Sequence, residues 1–99
     1  MPQSASQLLT KALHLLDRGE TARGEAVLRA AVVSAAEAAD GVTIVAALCC
    51  LGELLAEQDR RVEAVDALRS CLAVPVSEDL QDVCAAEQAR ARHLLAGMT

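Results

Sequence analysis

The chain nearly repeats itself. At a separation of 38 residues, Leu13, Leu16, Arg23, Glu25, Ala26, Val27 and Ala35 correspond to Leu51, Leu54, Arg61, Glu63, Ala64, Val65 and Ala73. Thr21 falls on Asp59, and both residue types cap helix starts through a side-chain oxygen. Two copies of one unit are implied. Units of this length stack into arrays, since each buries its apolar face against a neighbour, and such arrays present a surface to other proteins.

The core must be built from a narrow set of side chains. The 99 residues include fifteen Leu and twenty-one Ala but no Phe, Tyr or Trp, enough for one domain with a modest core of Leu, Val and Ala. Ala and Leu head the helix propensity scale, and two Pro and five Gly interrupt little, so the expected fold is all-α. A formal charge of −5 and scattered basic residues oppose nucleic acid as a partner, and no aromatic ring is available to stack a base. The longest uncharged apolar stretch, residues 42–52, falls short of the ~20 residues needed to span a bilayer. The amino terminus lacks the basic and apolar regions of a secretory signal. A cytoplasmic protein with neither membrane nor nucleic acid as partner is expected.

Helical spacing predicts five helices. The first, about 6–16, carries Leu8, Leu9, Ala12, Leu13 and Leu16 on one stripe. Thr21 is placed to cap a second, about 22–40, closed by Gly41; Thr43 to cap a third, about 44–57; Asp59 to cap a fourth, about 60–74, which Pro75 stops. Ser77 opens a fifth, about 78–96, where Leu80, Cys84, Glu87, Ala91 and Leu94 follow steps of four and three. Glu87 interrupts that seam, either at its solvated edge or facing a partner. Gly52, inside the third helix, marks a close approach by another helix.

These features resemble the tetratricopeptide repeat family. Leu48, Leu51, Gly52, Leu55, Ala64, Leu68 and Cys71 follow its alternation of large and small residues, with Gly52 and Ala64 where two antiparallel helices cross. Residues 43–74 form the well-matched repeat. Residues 6–40 form a degenerate one, with Leu13, Ala26 and Val33 in place. Residues 78–96 supply a cap or the start of a third, all within a single domain spanning 1–99. The spacing exceeds the common 34-residue period and suits a longer variety. The resemblance implies stacked antiparallel hairpins whose first helices line a groove for a peptide or helix. Carried over, the groove residues are Ala46, Cys49, Glu53, Ala56 and Glu57 of the second repeat and Leu8, Lys11 and Leu15 of the first, and the crossing residues are Gly52, Ala26 and Ala64.

Catalytic and metal chemistry find no pattern. Cys49, Cys50, Cys71 and Cys84 lack ligand spacing, and adjacent Cys49 and Cys50 point about 100° apart on a helix. His14 and His93 have no nucleophile beside them in sequence, and no phosphate-binding loop is present. No enzyme activity, metal or cofactor is expected, and the cysteines read as small core residues. The expected function is a scaffold or adaptor that binds a peptide or helix of another protein, with a homodimer as a refinement because two repeats bury little. A small acidic chaperone or inhibitor of a co-produced partner is the alternative, and a thiol sensor a third reading.

Overall fold

One turn, used three times, sets the architecture. In the computed structural model, which describes residues 3–98, Gly19, Ala39 and Asp59 adopt left-handed backbone with φ of 79°, 53° and 59°. The residue after each donates its N–H five positions back: Glu20 to Leu15 at 2.9 Å, Asp40 to Ala35 at 2.8 Å and Arg60 to Leu55 at 2.9 Å. This closure satisfies the last carbonyls of a helix while reversing the chain. Between the turns run α1 (Ala5–Asp17), α2 (Thr21–Glu37), α3 (Gly41–Glu57) and α4 (Arg61–Ala73). Val74 is extended before Pro75, and a 3-10 turn over Glu78–Leu80 leads into α5 (Gln81–Met98).

The caps differ from the sequence expectation because the turns claim some of the capping residues. Asp40 rather than Thr43 caps α3, accepting from the Thr43 N–H at 3.1 Å and the Thr43 hydroxyl at 2.6 Å. Gly41 opens α3 instead of closing α2, and Ala39 takes the left-handed position. Thr21 is the first residue of α2, and Asp59 lies in the turn itself. Ser4, unassigned from sequence, caps α1: its hydroxyl accepts from the Gln7 N–H at 3.2 Å while the Gln7 side chain accepts from the Ser4 N–H at 2.9 Å. That reciprocal pair satisfies two otherwise orphaned donors.

The all-helical chain forms a slab of 42 × 36 × 19 Å, about the thickness of two helix layers. Successive helices pack as antiparallel hairpins, with α1, α3 and α5 in one layer and α2 and α4 in the other. Two joined apolar clusters fill the interior. One gathers Ala12, Leu28, Leu51, Leu54, Leu55, Ala64 and Ala67; the other gathers Val45, Leu48, Cys49, Leu68, Cys71, Cys84 and Ala91. Among the described residues no helix is long and apolar enough to cross a membrane.

The structural repeat is 40 residues, not 38. Ala12 and Gly24 face each other across the α1/α2 crossing as Gly52 and Ala64 do across α3/α4. A Cβ on Gly24 would lie 2.6 Å from Leu16 Cδ2 and 3.5 Å from the Ala12 carbonyl oxygen, and a Cβ on Gly52 would lie 2.5 Å from Leu68 Cδ2 and 3.5 Å from the Ala64 carbonyl oxygen. Leu8, Ala12, Leu15, Gly24, Leu28 and Ala31 thus correspond to Leu48, Gly52, Leu55, Ala64, Leu68 and Cys71, so the first unit keeps six of the seven positions, while exposed Lys11 stands where Leu51 is buried. Ala26, expected at the crossing, is exposed. It belongs one register away, because α2 and α4 start 40 residues apart, at Thr21 and Arg61. Leu13 and Val33, expected in the same pattern, are also exposed.

Candidate functional site

The two layers leave a groove on each side of the slab. On the α1/α3 side, Leu13, Leu16, Asp17, Cys50, Glu53, Leu54 and Glu57 line a depression of about 290 Å³. It forms because α1 and α3 touch only lightly while α3 and α5 pack closely. Leu13 is 41% exposed, Leu16 and Cys50 are half-buried, and Asp17 and Glu57 stand exposed at the edge. Glu53 is held by Arg90 of α5. Asp17 and Glu57 make no ion pair among the described residues.

The opposite groove is larger, about 490 Å³, and lies between α2 and α4 over α3, lined by Val32, Val33, Leu48, Leu51, Leu55 and Ala67 with Arg29, Glu63, Asp66 and Ser70 around them. Its leucines are almost fully buried, and Val33 is its one markedly exposed apolar side chain. Four charges link its two walls. Arg60 meets Glu25 and Glu63 at 2.5 Å each, and Arg29 meets Glu25 at 3.1 Å and Glu63 at 3.8 Å. The Arg60 hydrogen bond, aided by Arg29 and opposed by burial, holds the Glu25 carboxyl below its usual range.

The carried-over residues divide between these settings. Glu53 and Glu57 line the α1/α3 groove. Leu15 and Cys49 do not, being 6% and 3% exposed within the core. Lys11 lies on another face of α1, in a depression of about 450 Å³ that Leu15 also lines, together with Gln7, Thr10, His14, Arg18 and Arg23. Leu8, Ala46 and Ala56 are half-buried outside the lining. The 40-residue correspondence explains the displacement: Glu53 and Glu57 pair with Leu13 and Asp17 on α1, two positions beyond Lys11 and Leu15. Leu13, Leu16 and Asp17 were the lining residues that the shifted register concealed.

Cys49, Cys71 and Cys84 meet at the α3/α4/α5 contact, Cys50 faces the α1/α3 groove, and all four are free thiols. Cys71 donates to the Val45 carbonyl at 3.4 Å. Burial first, then neighbouring Cys71, pushes the Cys49 thiol up to about 12, and burial pushes Cys71 up to about 11. Cys50 and Cys84 are raised for the same leading reason. These thiols stay protonated at neutral pH, the opposite of the thiolate that a redox sensor needs. Glu87 points toward this cluster, raising Cys50, Cys71 and Cys84, and one of its oxygens is enclosed without a hydrogen-bond partner. The rest of the side chain is half-buried, at the boundary between this cluster and solvent. No group of three or more His, Cys, Asp or Glu among the described residues is arranged to hold a metal ion.

Comparison with family models, curated proteins and solved structures finds no match.

Proposed function

We propose that this chain is a non-enzymatic interaction module, built on tetratricopeptide-like hairpins, that receives a peptide or helix of a partner protein in the α1/α3 groove. One observation carries the reading. An exposed leucine, Leu13, lies one turn before Asp17 in a depression it shares with Glu57, over Leu16, Cys50 and Leu54, and neither Asp17 nor Glu57 has an ion-pair partner among the described residues. Exposed apolar surface rimmed by polar groups marks a binding site. The larger groove is less suited, because its leucines are already buried and most of its charges are committed to one another. The paired size pattern of Ala12/Gly24 and Gly52/Ala64 supports the family resemblance.

The test is affinity capture from the native cell extract with the wild-type chain, Leu13→Gln and Val33→Gln, followed by identification of bound proteins. A partner lost with Leu13→Gln and kept with Val33→Gln supports the reading. The reverse pattern moves the site to the α2/α4 groove and overturns it.

A further inference from the structure

We infer that the occupant of the α1/α3 groove is an amphipathic helix whose apolar stripe is flanked by Lys or Arg. The inference rests on the groove reading above and adds two constraints, one from hydrogen bonding and one from charge.

The lining decides the backbone state of the occupant. Leu13, Leu16, Asp17, Cys50, Glu53 and Glu57 contribute apolar surface, a half-buried thiol that burial holds protonated, and three carboxylates. A carboxylate accepts hydrogen bonds and does not donate. The walls are α-helices, whose backbone groups are already paired along their own length. None of the lining residues is a Lys, Arg or amide, and Arg90, which reaches Glu53, is taken by it. An extended peptide entering this groove would lose water from its carbonyls and find no strong donor in the lining to replace it, leaving buried acceptors unsatisfied. A helix pairs its own N–H and C=O groups internally and presents only side chains, the mode in which anchors recur at helical spacing.

The charges decide its flanks. Asp17 stands at the end of α1 and Glu57 at the end of α3, one from each wall of the depression, and neither has a cationic partner among the described residues. Glu53 is neutralised by Arg90, leaving the lining with two uncompensated negative charges, in keeping with the formal charge of −5 for the chain. Lys and Arg beside an apolar stripe match that edge, whereas Glu and Asp there would meet like charge.

Three labelled synthetic peptides of equal length test this by fluorescence anisotropy: a helix with a leucine stripe and Lys flanks, the same helix with Glu flanks, and the Lys peptide broken by prolines so that it stays extended. The Lys helix is expected to bind about tenfold or more tightly than the Glu helix at low ionic strength, with the difference shrinking as salt screens it. Asp17→Lys combined with Glu57→Lys reverses the preference, and Leu13→Gln weakens binding of the preferred helix. Equal binding of the proline-broken peptide overturns the helical occupant, and a preference that survives the double charge reversal overturns the basic one. Either result leaves the groove reading standing if Leu13→Gln still weakens binding. Failure of the Lys helix to bind overturns the inference, and binding indifferent to Leu13→Gln overturns the groove reading itself.

Discussion

Gly52→Ala tests the helix crossing at its tightest point. Replacing glycine by alanine inside a helix gains ~1 kcal/mol in propensity. The added Cβ, however, would lie 2.5 Å from Leu68 Cδ2 and 2.6 Å from Leu68 Cγ, whereas carbon atoms pack best at ~3.5–4.0 Å. Leu68 must therefore retreat by about an ångström, and it is fully buried, so its branch point has nowhere to turn. Overpacking a core costs ~1–3 kcal/mol, and the upper part of that range applies where no relaxation to solvent exists. The net expectation is a loss of ~1–2 kcal/mol, which lowers the Tm of a domain this size by roughly 6–12 °C. Gly24→Ala is the internal control. Its Cβ would meet Leu16 at 2.6 and 2.8 Å, but Leu16 is only half-buried and can turn toward the α1/α3 groove at a rotamer cost of ~0.5–1.5 kcal/mol. That nearly cancels the gain, so Gly24→Ala should stay within ~0.5 kcal/mol of the parent. Urea and thermal unfolding followed by circular dichroism read both variants. Leu68→Ala should also cost ~1 kcal/mol less in the Gly52→Ala background than alone, because the two sites share one volume. A Gly52→Ala variant as stable as the parent, or equal costs at both glycines, refutes the packing account.

Ala39 holds a left-handed φ of 53°, a region that costs an L-residue ~1–2 kcal/mol. Ala39→Gly should stabilise by about 1 kcal/mol after the entropy that glycine adds to the unfolded chain is subtracted; no gain in the urea midpoint would count against the turn geometry. Glu87→Leu should raise stability by ~1 kcal/mol, since it removes an enclosed oxygen without a partner and extends an apolar seam. A lower Tm would show that the carboxylate has a role in holding α5. For Glu25 the folded pKa lies below its unfolded value of about 4.5, chiefly through the Arg60 hydrogen bond. Its stabilising contribution is therefore present at neutral pH and lost as pH falls below ~4.5 through the folded pKa. Unfolding free energies measured between about pH 6 and 3 should fall less steeply for Glu25→Gln than for the parent, and parallel curves would contradict the linkage.

The all-helical class and five helices were legible because Ala and Leu spacing fixes helical faces independently of exact boundaries. The register was not. The 38-residue echo rests on identities such as Arg23 with Arg61 and Glu25 with Glu63, and three of these four side chains are exposed, where packing places little demand on identity. The core correspondences, Ala12 with Gly52, Gly24 with Ala64 and Ala31 with Cys71, preserve size while changing residue type, so matching letters passes over them. A count of turn positions could have found the correct period, since Gly19, Ala39 and Asp59 are evenly spaced. Only one is glycine, however, and left-handed Ala39 has no sequence signal. The groove residues on α1 were displaced with the register, whereas Glu53 and Glu57 on α3 were not. The Glu53 pairing with Arg90 was hidden for a different reason: residues 37 positions apart meet only when α5 packs beside α3.

The central claim, that the α1/α3 groove is the docking face, is most directly tested by site-specific photo-crosslinking in the native extract. A photo-crosslinking side chain is placed in turn at position 13, in the groove, and at position 62, where Val62 is 77% exposed on α4 outside either groove lining. The account predicts one discrete crosslinked partner from position 13, suppressed by added unmodified chain, and none from position 62. Discrete crosslinks from position 62 with none from position 13 would contradict it.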